Sequence, residues 1–111
     1  MTDLEYLNAA EQALATVERA CDRINDETDV DLDVQRSGGM LTLSFRDKSQ
    51  VVVNLQKPLH EIWLAARTGG YHFRSVDGAW RDTKDGADFF SRLSECVSEH
   101  ARQPLEIAAS R

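Results

Sequence analysis

The residues of this 111-residue chain that could do chemistry are mostly carboxylates, and they crowd into one stretch. Glu18, Asp22 and Asp26 recur every fourth residue. That spacing puts Glu18 and Asp22 on one face of a helix, with Asp26 following at its end. Glu27 falls in the predicted loop. Asp29, Asp31 and Asp33 alternate with Val30, Leu32 and Val34, so they project from one face of a predicted strand. The short link makes helix end and strand edge neighbours, and the seven side chains then form one continuous ridge. Like charges four apart on a helix oppose folding by about 0.2–0.5 kcal/mol per pair, or ~1–2 kcal/mol for several pairs, before salt screening. A hard cation bound through oxygen ligands relieves that repulsion. Carboxylate and water ligands suit Fe²⁺, Fe³⁺, Mn²⁺, Ca²⁺ or Mg²⁺ without selecting sharply among them. The EF-hand pattern is absent and no spacing builds a closed cage, so the predicted sites are open and weak. The same charges fit two other readings: a solvated face serving solubility, and a surface that docks a basic protein.

The second signal is Trp63. It alternates with Ile62 and Leu64 and therefore points away from the core, sharing its face with Glu61 and Ala65. Asn54 and Gln56 on the preceding strand face the same way. An exposed Trp amid polar amides reads as a protein-contact anchor. The bland alternative is a Trp folded over the sheet edge and half buried.

Other chemistries find little support. His60, His72 and His100 show no HExxH or CxxC…HxxxH spacing, which argues against a zinc site. They read as surface or rim residues, with His60 and His72 on neighbouring strands. No GxSxG elbow surrounds any serine, and Gly69-Gly70 is a turn rather than a phosphate loop. Cys21 and Cys96 lie far apart with no CxxC spacing. They read as small apolar residues on helix faces in a reducing compartment.

The elements that must position these residues follow from periodicity. Thr2-Asp3-Leu4-Glu5 is a capping box. Leu4, Leu7, Ala10, Leu14, Val17, Cys21 and Ile24 then fall on one helical face, predicting a helix from Asp3 to Ile24. Strands are predicted over Asp29–Gln35, Met40–Phe45, Gln50–Gln56, His60–Ala66, Tyr71–Val76 and Ala79–Arg81. Pro58 belongs at a strand end or turn. Asp85 is placed to cap a second helix, with Asp88 at its third position, an apolar face of Phe89, Phe90, Leu93, Val97 and Ala101, and Pro104 at or beyond its end. Short connections favour an antiparallel sheet. The expected fold is α+β: a two-layer α-β sandwich with two helices on one face of a five- to six-stranded antiparallel sheet, as a single domain over residues 1–111.

The formal net charge is −6. Such a chain repels nucleic acid and anionic membrane and favours cations or basic protein surfaces. No run of about 18 apolar residues exists to span a membrane, and the acidic start resembles neither a signal nor a transit peptide. The reading is a cytoplasmic monomer, with metal-dependent oligomers as the alternative.

The run Asn54-Leu55-Gln56-Lys57-Pro58-Leu59-His60-Glu61-Ile62-Trp63-Leu64-Ala65 resembles the signature of the frataxin family, N-x-Q-x-P followed by I/V-W-L. Gly69-Gly70-Tyr71-His72-Phe73 and Trp80 are similar to its bacterial branch, and the likeness extends over nearly the whole chain. The resemblance implies the frataxin α-β sandwich and loose, exchangeable binding of ferrous or ferric iron on Glu18, Asp22, Asp26, Glu27, Asp29, Asp31 and Asp33. It implies docking of that ridge on the cysteine desulfurase of iron–sulfur cluster assembly. It also implies contact of the Trp63 face, with Asn54, Gln56 and Glu61, near the scaffold protein. Arg19 and Arg23 stand where bacterial relatives often carry more acid, and are placed to pair with Glu18 or Asp22. Three functions compete: an iron-binding accessory protein that delivers iron or regulates sulfur release, an acidic interaction domain without metal, and a ferroxidase. The last lacks the ferritin-like ligand pattern, so no enzyme is expected.

Overall fold

The computed structural model describes residues 1–108. Helix α1 spans Asp3–Glu27, and the sheet consists of β1 (Asp33–Ser37), β2 (Met40–Ser44), β3 (Gln50–Gln56), β4 (Glu61–Ala66), β5 (Gly69–Val76) and β6 (Ala79–Asp82). A 3₁₀ turn, Lys57–Leu59, separates β3 from β4, and α2 spans Phe89–Ala101. The strands pair in chain order, all antiparallel, as an open six-stranded meander. Two helices pack on one face of that sheet, as periodicity predicts.

Thr2 caps α1 as its sequence predicts: Glu5 N–H donates to the Thr2 hydroxyl at 3.1 Å, and Thr2 N–H donates to the Glu5 carboxylate at 2.7 Å. Its apolar stripe buries Tyr6, Ala10, Leu14, Val17, Cys21 and Ile24. Against it lie the inward rows of the sheet, where Leu41 pairs with Val53 and Val53 with Leu64, and Leu43 with Val51. Ile62 and Phe73 continue this face, and Phe89, Leu93 and Val97 of α2 close the core. Among the described residues no helix covers the opposite face of the sheet, and most of its outward side chains meet solvent, Glu61 being the buried exception.

The structure shifts several strand ends by one or two residues, His60 for instance capping the 3₁₀ turn instead of opening β4, and β5 beginning at Gly69, and three boundary changes bear on the site. First, α1 continues to Glu27, and Thr28 caps it through both its N–H and its hydroxyl on the Ile24 carbonyl. Second, β1 begins only at Asp33. The Asn25 side chain grips Leu32 from both sides, donating to its carbonyl at 2.9 Å and accepting from its N–H at 2.8 Å. Those backbone groups are thus withdrawn from any ladder, and Asp31 adopts a left-handed φ of 60° that breaks the pleat. Third, Asp88 rather than Asp85 caps α2, accepting from Ser91 N–H at 3.1 Å. Asp85 instead closes a turn by accepting from Ala87 N–H at 2.9 Å, at a chain reversal where Gly86 has positive φ. Beyond Pro104, the chain returns along α2: Ser94 and Ser98 hydroxyls take the Ile107 and Leu105 N–H groups, and Ile107 enters the core.

Candidate functional site

The acidic residues do not form one continuous ridge. Glu27 is the last residue of α1, not a loop residue, so Glu18, Asp22, Asp26 and Glu27 all ride on that helix. Asp22, Asp26, Glu27, Asp29 and Asp31 are exposed around its C-terminal end. Asp29 and Asp31 sit in the linking segment rather than on a strand. Asp33 is the first residue of β1 and pairs with Ser44. Its parity is opposite to that of Val34 and Arg36, which face the helix layer, so Asp33 lies on the helix-free face. Gln35 donates to it there at 3.4 Å.

Glu18 is engaged. Arg36 on edge strand β1 donates to the Glu18 carboxylate at 3.1 Å and also pairs with Glu11 two turns further back on the same helical face. The Glu11 and Glu18 hydrogen bonds hold the Arg36 guanidinium above its ordinary pKa against the opposing effect of partial burial. Neither Glu11 nor Arg36 stood out in the sequence. The signal was there: Glu11 and Glu18 are seven apart, two helical turns, and Arg36 is two residues from the inward-facing Val34. The expected pairing of Arg19 or Arg23 with Glu18 or Asp22 does not occur. Arg19 donates instead to the Thr16 hydroxyl at 3.2 Å.

What remains free is a group of carboxylates at the C-terminal end of a 25-residue helix whose last turn holds no basic residue. The helix dipole adds roughly half a negative charge there. Helix end and carboxylates therefore act together to attract cations. Among the described residues no three Asp, Glu, His or Cys side chains converge closely enough to hold a metal ion by themselves. Any cation here would bind through water and one or two carboxylates.

The Trp63 side chain lies on the helix-free face, opposite Asn54 on β3 and His72 on β5. It is half-buried rather than fully exposed. Its indole stacks on the His72 ring, with centroids 4.2 Å apart and planes within 5°. Its Nε1–H donates to Glu61 at 2.8 Å. Glu61 shares this outward face as predicted, yet its side chain is only 6% exposed. Its other oxygen accepts from Arg74 Nε at 2.8 Å, and His72 Nδ1 stands 3.8 Å away. Burial pushes the Glu61 carboxyl up, but the Trp63 and Arg74 hydrogen bonds and the Arg74 charge outweigh it and leave it below the ordinary value. Glu61 thus holds the surface residues in place, while Asn54 and Gln56 remain partly exposed beside Trp63.

The three histidines have separate settings. His60 stacks on Tyr6 and pairs with Asp3 at 2.8 Å, tying the 3₁₀ turn to the start of α1. His72 is the Trp63 partner. His100 is not a rim residue: it is 4% exposed, accepts the Arg67 N–H on Nε2 at 3.1 Å and contacts the Ser49 hydroxyl through Nδ1 at 2.8 Å. Both cysteines are free and buried. Burial pushes the Cys21 thiol up to about 12, and raises Cys96 as well, so neither is a ready nucleophile or ligand.

Residues 1–103 match the family model of the frataxin-like domain. The chain is 62% identical over 110 residues to the iron–sulfur cluster assembly protein CyaY of Variovorax paradoxus, covering 99% of this chain and 100% of that one. It is 58% identical to the protein of the same name from Paracidovorax citrulli, with the same coverage. Among solved structures, the frataxin of Psychromonas ingrahamii superposes with a TM-score of 0.87 at 28% identity, over 97% of this chain and 99% of that one. The trimeric frataxin of Saccharomyces cerevisiae complexed with ferrous iron superposes at 0.74 and 24% identity, over 86% of this chain and 87% of the other, a likeness of fold alone.

Proposed function

The chain belongs to the frataxin-like family, its relatives above being iron–sulfur cluster assembly proteins, and on that premise we propose that it binds iron weakly on the carboxylates at the end of α1 and docks on a cysteine desulfurase with its scaffold protein. Asp22, Asp26, Glu27, Asp29 and Asp31 form the cation-attracting group. Glu18 joins it only when Arg36 lets go, and Asp33 belongs to the other face. The observation that carries the reading is the set of exposed carboxylates at a helix C-terminus without a basic residue in its last turn. Hard oxygen ligands with water suit ferrous and ferric iron, and open sites exchange what they hold, as a donor or a sensor requires.

Docking would use the same carboxylates against a basic protein surface and Trp63 as an anchor on the far face. Two roles remain within this reading: delivery of iron, and regulation of sulfur release by occupying the desulfurase. A ferroxidase would need two irons bridged by shared ligands, and the spread of the carboxylates gives that reading less support.

An anaerobic ferrous titration of ¹⁵N-labelled protein tests iron binding. Selective broadening of amides from residue 22 to residue 31 is expected. No selective broadening at millimolar metal would overturn the iron site and leave a docking surface only.

A further inference from the structure

The chain contains two Asp-Gly pairs, Asp77-Gly78 and Asp85-Gly86. In such a pair the glycine nitrogen can attack the preceding side-chain carboxyl, because no Cβ on the glycine crowds the approach. Ring closure needs an aspartate side chain free to turn onto the main chain and a carboxyl able to take up a proton, so that water can leave. It also needs a glycine N–H that is not committed to a hydrogen bond. The two pairs differ in each of these respects.

Asp85 is held. Its carboxylate accepts from Ala87 N–H at 2.9 Å and from Arg92 at 3.1 Å. The Ala87 bond first, and the Arg92 bond second, keep its pKa below the ordinary carboxylate value, so its acid form is scarce. Gly86 N–H donates to the Asp82 carbonyl at 2.9 Å. Arg92 is itself fixed, 4.6 Å over the Tyr71 ring and paired also with Asp82 and Glu95.

Asp77 is not held. Asp77-Gly78 is the two-residue link between β5 and β6, flanked by the Val76–Ala79 pair. Both residues are exposed and both have positive φ, 51° and 82°, as the tightest hairpin links require. Among the described residues the Asp77 carboxylate accepts no hydrogen bond and makes no ion pair, and the Gly78 N–H meets no acceptor.

We propose that Asp77-Gly78 is a modification site, the place where this chain undergoes spontaneous isoaspartate formation, and that the fold protects Asp85-Gly86 from the same reaction. The Asp77 carboxyl takes up a proton. The Gly78 nitrogen then bonds to its Cγ, closing a five-membered succinimide, while the nitrogen loses its proton and the carboxyl loses one oxygen as water. A second water opens the ring. Attack at Cγ restores aspartate. Attack at the main-chain carbonyl carbon breaks its bond to the Gly78 nitrogen and leaves the chain running through the Asp77 side chain. One water leaves and one enters, so mass is unchanged and no oxidant or reductant takes part. The product has one more carbon in the link and a carboxylate branching from it. The tight turn can no longer close, and the Val76–Ala79 end of the β5–β6 pair loosens beside the buried Trp80.

The test is peptide mapping of full-length protein aged in mildly acidic buffer while circular dichroism shows it folded, with a guanidinium-denatured reference aged in parallel until that reference has isomerised. Trypsin places the two sites in separate peptides, Ser75–Arg81 and Asp85–Arg92. Isoaspartate is read as a form of equal mass and shifted retention that resists an aspartate-specific endoprotease, and fragment ions distinguish Asp85 from Asp88. In the folded protein the Ser75–Arg81 isomer should accumulate about ten-fold faster than the Asp85 isomer, because ring closure at Asp85 must first give up several hydrogen bonds. In the denatured reference the two rates should converge. Equal rates in the folded protein, or a faster Asp85, would overturn the proposal. So would a folded Ser75–Arg81 peptide that stays unmodified while the denatured one isomerises. Asp77→Glu, whose longer side chain disfavours the five-membered ring, should abolish the Ser75–Arg81 isomer, and its persistence would equally overturn the assignment.

Discussion

Replacing Arg36 with Gln should strengthen cation binding on α1 while loosening the edge of the sheet. Arg36 holds Glu11 and Glu18 from β1, with Glu18 at 3.1 Å. A divalent ion on the Glu18 carboxylate would sit roughly 6 Å from that guanidinium. In water their repulsion is about 1.4 kcal/mol, and screening over a Debye length of about 8 Å roughly halves it. Removing the positive charge should therefore raise affinity at Glu18 about three- to ten-fold. The exposed pairs themselves contribute about 0.2–1 kcal/mol each, so the urea midpoint should fall slightly. Anaerobic Fe²⁺ titration followed by NMR reads both effects. In the wild type the broadened amides should cluster towards residue 31. In Arg36→Gln they should extend back to Glu18 and Glu11, and β1 amides should exchange faster. Unchanged affinity with sharp Glu11 and Glu18 signals would show that Arg36 does not compete for this surface.

Two further outcomes follow from local geometry. His100 accepts a backbone N–H on Nε2 and is therefore neutral in the fold. Burial first, and the Arg67 charge second, hold its pKa below the ordinary value. Since the unfolded chain takes up this proton near pH 6.5, the stability His100 contributes is complete above that pH. It is lost as pH falls through the folded value, with a slope of at most about 1.4 kcal/mol per unit. His100→Ala should be less stable at pH 7.5 by about 1–3 kcal/mol, through the orphaned Arg67 N–H. The variant-minus-wild-type difference, measured by urea unfolding, should shrink as pH approaches 5; a constant difference would refute the assignment. Asp88→Ala should cost about 1 kcal/mol as a lost helix cap, whereas Asp85→Ala should cost less, and thermal midpoints that reverse this order would contradict the observed cap.

Most of the fold was legible because its signals are local. The capping box, the three-four spacing of α1 and the alternation in β2 to β5 each depend on neighbours a few residues apart. The boundaries that moved were set by contacts that no short window contains. Asn25 reaches seven residues ahead to Leu32 and removes Asp29–Leu32 from the sheet, although Val30 and Leu32 still bury as their alternation predicts. Asp85 and Asp88 are equally good caps by type, and the turn around Gly86 decides between them. The carboxylates were visible as residues, but not which of them were free. That depended on Arg36, eighteen positions from Glu18. Alternation alone places Trp63 outward, as the register shows, whereas the burial of Glu61 depends on His72 and Arg74 from the next strand.

The same long-range contacts bear on how the acidic end of α1 could work. A tight site needs several carboxylates to converge, and convergence of like charges must be forced by the fold. Here the fold does the reverse. The Asn25 clamp fixes the segment after the helix by its backbone, leaving the Asp29 and Asp31 side chains in solvent rather than folded back over Asp22 and Asp26. Asp33 is sent to the other face by the pleat, and Glu18 is held by Arg36. Negative charge is thus concentrated enough to attract a cation, while no ligand set is closed enough to retain one. Affinity in such an arrangement comes from field rather than from coordination geometry. It should therefore fall steeply with salt, discriminate poorly between divalent ions, and yield readily to a basic protein surface that brings several positive charges to the same place.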